Sequence, residues 1–505
     1  MAAPVQRAEQ GTPAVRLSEI VARLERAGLL VAAPGADPAL AGVSDDSRRV
    51  RPGDLFCAWV GTAVDAHRFV PAAEQAGAAA VLVERQVSGS SLPQVVVTDG
   101  RRAAALAASA VYGDPGEALR LVGVTGTNGK TTTVWLIRHL LGLRWASASL
   151  GTLGVILEDG QPLEGSESLT TPGPVELART LRGLVDRGIR AAAMEVSSHA
   201  LHQGRVESLR FDAAVFTNLT RDHLDYHGTE EEYLAAKELL ANLLRDGGAA
   251  VVNGDDPAWS GLASRLPRVI RFGLDADSAD LVATDVDVAA DGTRFRLVTP
   301  AGEYPVELPL LGAFNVQNAL GALGACMALG LDAGELVERL ATVPQVPGRL
   351  ERIAERPCPV LRDYAHTPDA LNRALVTLRP LVAGRLIVVF GAGGDRDRGK
   401  RPLMGSIAAA LADVPIVTSD NPRTEDPEAI IDDIVAGMGD VSYIREVDRR
   451  RAIAKALELA RPGDLILLAG KGHETYQILG TEKVPFDERE IVRALAGGRP
   501  SEVGE

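Results

Sequence analysis

The apolar run Leu119 to Val124 leads into Thr125-Gly126-Thr127-Asn128-Gly129-Lys130-Thr131-Thr132, and apolar residues then recur at helical spacing from Thr133 to Leu143. A strand, a glycine turn and a helix start, in that order, commit this part of the chain to an α/β layer with the turn at a sheet edge. The turn is a phosphate cradle. Gly126 and Gly129 let the backbone bend tightly and aim its N–H groups inward, and the helix N-terminus adds partial positive charge. Lys130 can reach the terminal phosphates of a nucleotide, and Thr131 supplies a hydroxyl suited to Mg²⁺. The fuller phosphate-loop pattern asks for glycine where this chain has Val124, so the cradle is a shortened variant.

A chain of 505 residues has room for roughly three domains. Its net charge of −14 argues against a general binder of nucleic acid or anionic membrane, so anionic small molecules would need local basic pockets. Cys57, Cys326 and Cys358 are widely spaced and form no Cys-x-x-Cys pair, which suggests neither a disulfide framework nor a zinc site. Met1 to Ala14 has no apolar core of signal-peptide length, and no run of about twenty apolar residues occurs. The expectation is a cytoplasmic protein without membrane insertion.

The chain reads as a disordered tail (1–15), a first α/β domain (16–116), a central nucleotide-binding domain (117–343), a C-terminal domain (344–496) and a second tail (497–505). In the first domain Leu17 to Leu29 and Val70 to Ala78 have helical spacing, while Ala79 to Glu84 and Gln94 to Val97 read as strands. Asp46-Ser47-Arg48 reads locally as a cap with solvated charges. The central domain alternates strands and helices, the pattern of a parallel sheet, and its strands end in polar clusters. One runs into Glu195-Val196-Ser197-Ser198-His199, another into the block Thr217 to His227. Glu195 is either a Mg²⁺ ligand or water-holder facing the phosphate loop, or a helix cap. Lys237, in Tyr233-Leu234-Ala235-Ala236-Lys237-Glu238, reads locally as a solvated helix lysine. Asp280 to Leu308 alternates apolar and polar residues like an antiparallel excursion, a small-residue helix follows from Ala313, and Pro344 to Pro347 reads as a linker.

The last domain repeats a strand, loop, helix cycle. Its polar strand ends are Asp363 to Asp369, Gly391 to Arg401, Ser419 to Arg423 and Ala469 to Glu474. The fold is expected to be Rossmann-like without dinucleotide use, because the third fingerprint glycine would fall at Arg396. Arg, Lys, His and Asp crowded on one sheet edge suit a ligand with both carboxylates and amines: Arg forks grip a carboxylate while Asp and Glu hold an ammonium.

Taken together, nine motifs in order resemble the Mur ligase family, the ATP-dependent amide-forming enzymes of bacterial cell-wall precursor synthesis. They are Asp46-Ser47-Arg48, the shortened phosphate loop, Thr170-Thr171-Pro172, Glu195 to His199, Asn218 to Gly228, Phe314 to Asn318, Asp363 to Pro368, Asp420-Asn421-Pro422-Arg423 and Gly470 to Glu474. The resemblance spans Ser44 to Glu490 and implies three α/β domains: a UDP-substrate-binding domain, a phosphate-loop ATPase domain with a parallel sheet, and a Rossmann-like domain. It implies that Ser47 and Thr62 touch the UDP end of the substrate, and that Thr170, Thr171, Ser197, Gln203 and Arg205 hold the muramoyl-dipeptide. Gly126, Thr127, Asn128, Gly129, Lys130, Thr131 and Thr132 would bind ATP, with Asn318, Arg349 and Asp363 bounding the nucleotide. Lys130, Glu195, His223 and Lys237 would be catalytic, and Thr131, Glu195, His223 and a carbamylated Lys237 would hold Mg²⁺. Arg396, Asp420, Asn421, Pro422, Arg423, Gly470 and Glu474 would bind the incoming amino acid.

Within the family the Asp-Asn-Pro-Arg sequence resembles the members that add diaminopimelate to the D-glutamate γ-carboxylate of UDP-N-acetylmuramoyl-L-alanyl-D-glutamate, since lysine-adding relatives lack it. A distal carboxylate is what Arg423 would pair with. Leu169 departs from relatives that often carry a polar residue there. The expected state is a monomer that binds small molecules and no nucleic acid. The alternatives are an L-lysine-adding homologue, a folylpolyglutamate synthetase sharing the shortened loop, and a nucleotide-gated scaffold without catalysis.

Overall fold

The computed structural model describes residues 15–61, 64–166, 169–275, 277 and 279–497. Thr62, expected at the UDP end of the substrate, and residues 1–14 and 498–505 of the two expected tails lie outside the described residues. Contacts divide the chain into two units: 1–283 with 297–304 and 317–340, and 284–296 with 305–316 and 341–505.

The first unit holds two α/β regions. In the N-terminal one, five strands lie in the order Leu30–Ala32, Gln94–Val97, Ala80–Val83, Asp54–Cys57, Gly42–Ser44, all parallel except the first pair. Helices Leu17–Arg26 and Gly100–Val111 bury Leu17, Ile20, Leu24 and a row of alanines with this sheet. Val15–Arg16 pairs with Ala39–Leu40, so ordered chain is present from Val15. Val175 and Ala178 of helix Pro174–Asp186 join the same core, which ties the first region to the second.

In the second region Ala191–Glu195, Arg120–Thr125, Phe211–Phe216, Leu244–Asn253 and Val269–Gly273 run parallel and adjacent in that order. Ser147–Gly151 is parallel on the near side of Ala191–Glu195, and Gly154–Ile156 edges it antiparallel. Helices cover both faces, which is why the strands are continuous apolar runs rather than alternating ones. The register sets Glu195 opposite Val124 and Phe216 opposite Thr125, so Glu195 and Thr217 emerge at the sheet edge where the glycine turn lies. The stretch read as an antiparallel excursion contains strands Leu281–Ala289, Gly292–Thr299 and Gly302–Leu308. Its first residues instead pair parallel to Phe272–Gly273.

The second unit is built on a six-stranded sheet ordered Glu351–Ala354, Val360–Asp363, Leu465–Ala469, Leu386–Phe390, Val414–Val417, Ile444–Arg445. All but the first strand are parallel to their neighbours. Asp363 pairs with Ala469, Val389 with Leu468 and Phe390 with Val417, so the polar strand ends come out together on one edge, as the sequence suggests. A hairpin, Tyr476–Leu479 with Glu482–Pro485, follows the last of these loops. No described helix is long and apolar enough to cross a membrane.

Candidate active site

The glycine turn is held as a cradle by its neighbours. Gly126 has φ +144°, and a Cβ there would sit 1.9 Å from the Thr217 hydroxyl; Gly129 has φ +86°, and a Cβ would sit 2.3 Å from Asn318 Oδ1. Both positions therefore exclude a side chain by conformation and by space. The Thr217 hydroxyl donates to the Asn128 carbonyl at 2.7 Å, and the Asn128 N–H donates to Asn218 Oδ1 at 2.9 Å. The Thr220 N–H donates to the Thr127 hydroxyl at 2.9 Å, which also lies 3.2 Å from the Tyr233 hydroxyl. Helix Lys130–Leu141 then starts at the loop, three residues earlier than its apolar periodicity indicates, with Thr131 and Thr132 buried. A Gly129→Ala variant should lose nucleotide affinity by roughly 5- to 30-fold, in line with roughly 1–2 kcal/mol for a left-handed non-glycine residue. Titration with a fluorescent ATP analogue checks it; unchanged affinity would remove Gly129 from the cradle.

Two lysines converge on one carbonyl. Lys130 Nζ donates to Gly126 O at 2.9 Å and Thr127 O at 2.8 Å, and Lys237 Nζ donates to Gly126 O at 2.8 Å. The local reading of Lys237 as a solvated lysine is corrected here: the residue is 1% exposed, with its amine 4.3 Å from the centre of the Tyr233 ring. Burial, and next the neighbouring Lys130, push its amine well below the ordinary lysine range.

Glu195 is 2% exposed and accepts from the Thr152 N–H at 2.8 Å and the Thr152 hydroxyl at 3.2 Å. No cation among the described residues pairs with it, and it does not serve as the cap of the following helix, a role that falls to Ser197. From Glu195 a run of hydrogen bonds crosses the expected dipeptide site. The Thr171 hydroxyl donates to the Glu195 carbonyl at 2.9 Å and accepts the Ser197 N–H at 3.0 Å. Arg205 Nη1 donates to the Thr171 carbonyl at 2.9 Å, while its Nη2 donates to Gln203 Oε1 at 2.7 Å. Gln203 Nε2 in turn donates to the Tyr226 hydroxyl at 3.0 Å, and the Thr170 and Thr152 hydroxyls lie 3.3 Å apart. The Arg205 guanidinium has neutral acceptors only among the described residues, and burial lowers its pKa. His223, at φ +53°, packs edge-on to His199 with ring centres 4.8 Å apart. In the N-terminal region Asp46 caps the turn Ser47–Arg49 by accepting the Arg48 N–H at 3.0 Å, as the local reading has it, and Ser47 is half-buried.

In the second unit Asp363 ends its strand with Oδ2 accepting the Leu350 N–H at 2.6 Å, and burial raises its carboxyl to about 6. The Arg349 guanidinium lies 4.8 Å from the Tyr364 ring centre. Asp420, Asn421 and Glu474 are gathered by Lys471, whose side chain is fully buried: its Nζ donates to Asp420 Oδ1 at 3.2 Å, Asn421 Oδ1 at 2.8 Å and Glu474 Oε2 at 3.0 Å. Pro422 is buried. Arg423, at φ +52°, donates through Nη1 to the Gly394 carbonyl at 2.8 Å, and its backbone is clamped by Ile478 O and the Gly480 N–H. Arg396 is exposed and donates to the Asp395 carbonyl at 3.3 Å. Neither guanidinium pairs with a carboxylate among the described residues.

The structure thus brings Gly126 to Thr132, Asn318 and Lys237 together, and joins Glu195 to Thr170, Thr171, Ser197, Gln203 and Arg205. Sequence reasoning missed Thr152, the bracing role of Thr217 and Asn218, and Lys471. For Lys471 a signal existed, a lysine between two glycines directly after a buried strand; for Thr152 none did.

A phosphate loop on a parallel sheet, followed by a Rossmann-like region with a charged sheet edge, defines an α/β nucleotide-dependent ligase architecture. The chain belongs to the Mur ligase family: residues 40–124 match its catalytic domain, 124–326 the Mur ligase middle domain and 348–472 the glutamate ligase domain. It is 47% identical to the UDP-N-acetylmuramoyl-L-alanyl-D-glutamate--2,6-diaminopimelate ligase of Gloeobacter violaceus over 97% of this chain and 99% of that one. A solved structure of an enzyme of that name is 37% identical, with a TM-score of 0.66, covering 91% of this chain and 95% of the other. Folylpolyglutamate synthase from Mycobacterium tuberculosis shares the fold at 21% identity and a TM-score of 0.64, covering 79% of this chain and 96% of its own.

Proposed function

We propose that the protein is a cytoplasmic ATP-dependent ligase that joins diaminopimelate to the D-glutamate γ-carboxylate of UDP-N-acetylmuramoyl-L-alanyl-D-glutamate, in peptidoglycan precursor synthesis. The observation that carries this reading is the pairing of complementary groups on one loop: Arg423, free of any carboxylate among the described residues, three positions from the buried Asp420 carboxylate. Such a loop suits a ligand with a distal carboxylate and an ammonium. The long likeness to enzymes that carry diaminopimelate in their names supports it.

The donor set fits a hard cation, because Glu195 is a buried carboxylate with no cation paired to it among the described residues and Thr131 offers a hydroxyl beside the phosphate loop. Thr131, Glu195, His223 and a carbamylated Lys237 would hold Mg²⁺, which when bound offsets the charge of the phosphate oxygens. The chain's own groups do the positioning. The backbone N–H groups of the turn and Lys130 would cradle the β- and γ-phosphates, and Arg205 and Thr171 would hold the dipeptide so that the γ-carboxylate meets the terminal phosphorus in line. ATP then phosphorylates that carboxylate with loss of ADP, and the uncharged amine of diaminopimelate attacks the acyl phosphate, releasing phosphate and a proton to leave the amide. No covalent enzyme nucleophile is needed, so electrostatics and orientation supply the rate.

Phosphate release with ATP, Mg²⁺ and UDP-N-acetylmuramoyl-L-alanyl-D-glutamate, with meso-diaminopimelate or L-lysine added in parallel, tests the reading. Turnover is expected with diaminopimelate. Equal or greater turnover with lysine would overturn the specificity, and turnover with neither would overturn the function.

A further inference from the structure

Lys471 occupies the centre of the amino-acid loops yet is fully buried. Its ammonium has three N–H donors and spends one on each of Asp420, Asn421 and Glu474. Those three acceptors are further tied to one another and to the hairpin. Asn421 Nδ2 donates to Glu474 Oε2 at 2.9 Å, Gln477 Nε2 to the Asp420 carbonyl at 2.6 Å, and the Ile478 N–H to Asn421 Oδ1 at 3.0 Å. The hairpin also clamps the Arg423 backbone, so the carboxylate-reading and ammonium-reading residues are fixed by one connected network.

Asp420 and Glu474 bring two negative charges and Lys471 one positive charge. The other buried pair nearby, Arg449 with Glu488 at 2.8 Å, is neutral in sum, and its Arg449 Nη2 also donates to the Ala469 carbonyl at 2.9 Å. His366 and the Tyr364 and Tyr476 rings are also close by, and the exposed Lys483 amine lies 4.1 Å from the Tyr476 ring centre. Two carboxylates this close, without the lysine, would repel each other and one would take up a proton or swing away. With it, both carboxylates are held in one geometry by a shared ammonium, and the formal charges leave one net negative charge for a ligand.

We propose that Lys471 is a positioning residue for the incoming amino acid: an internal ammonium that, with Asn421 as a saturated brace, fixes the Asp420 and Glu474 carboxylates so that their second oxygens form one acceptor pair with one formal net negative charge. This rests on the assignment of those loops to diaminopimelate. It makes the pair a unit whose members cannot be altered independently, because each depends on the lysine for its orientation.

The test is steady-state kinetics on the full chain with ATP, Mg²⁺ and the UDP-dipeptide, varying diaminopimelate, for Lys471→Met, Glu474→Gln and the double variant. Lys471→Met should raise the diaminopimelate KM by at least about thirtyfold and leave the ATP KM within about twofold. Glu474→Gln should weaken diaminopimelate by a large factor in the native background and by less than about a third of that factor after Lys471→Met. If Lys471→Met does not fold, judged by its melting curve, Lys471→Gln takes its place under the same criteria. An unshifted diaminopimelate KM, equal rises for ATP and diaminopimelate, or strictly multiplicative effects in the double variant would each overturn the inference. Wild-type protein that does not turn over with diaminopimelate overturns the functional reading itself, whereas wild-type turnover with unshifted Lys471 variants overturns this inference alone.

Discussion

Lys237→Ala should lower phosphate release by on the order of a hundredfold or more, the scale of removing a preorganised electrostatic group from a transition state. The reason lies in where the amine sits. It is buried against Tyr233, shares the Gly126 carbonyl with Lys130, and has no carboxylate bonded to it among the described residues. An ammonium there would be costly, so the neutral amine is favoured, and only a neutral amine can add CO₂. Carbamylation would replace that neutral amine by a carboxylate-like group beside the phosphate loop, where the protein otherwise offers Glu195. Acetate or formate should therefore restore part of the activity of Lys237→Ala. Stripping CO₂ from wild-type enzyme should reduce its rate more at lower pH, because protonation competes with carbamylation. Wild-type activity in Lys237→Ala, or a CO₂ response independent of pH, would remove the carbamate from the mechanism.

Much of this architecture is legible in the chain because its parallel strands are buried on both faces and so stand out as uninterrupted apolar runs, each stopping at a polar cluster. Ala80–Val83, read from the run Ala79 to Glu84, is recovered almost to the residue for that reason. Their order in the sheet is not legible: that Leu465–Ala469 lies between Val360–Asp363 and Leu386–Phe390 depends on long-range pairing. What local pattern misjudges is burial of charge. Helix Glu230–Glu238 opens with three consecutive glutamates, so Lys237 near its end looks like one more solvated charge. Contacts of this helix with the phosphate loop, Tyr233 to Thr127 and Lys237 to Gly126, remove it from water, and the second joins residues 111 positions apart. Lys471 is hidden in the same way, since its three acceptors include two about fifty positions upstream. The phosphate loop needed no such help, because the glycines, the lysine and the helix start are contiguous.

Arg423→Ala should raise the diaminopimelate KM by roughly 10- to 150-fold, the equivalent of about 1.5–3 kcal/mol for a charge-assisted hydrogen bond, with the ATP KM little changed. The guanidinium is anchored at 2.8 Å on the Gly394 carbonyl, which uses one of its five donors and leaves a fork for a carboxylate. Arg423→Lys should recover only part of the loss, because a point charge lacks the bidentate geometry. The residue also sits at φ +52°, a conformation the surrounding hairpin enforces and alanine tolerates poorly. Arg423→Asn separates the two effects, since asparagine accepts that backbone while lacking the guanidinium. If Arg423→Asn weakens diaminopimelate as much as Arg423→Ala does, the loss belongs to the side chain; if it binds like wild type, the loss belongs to the backbone and the carboxylate assignment falls. The same variants should bring diaminopimelate and L-lysine closer in kcat/KM, because the group that tells them apart is the distal carboxylate and nothing else on that loop offers an unpaired guanidinium to it. Equal KM effects on ATP and diaminopimelate would assign Arg423 to folding of the loop rather than to recognition.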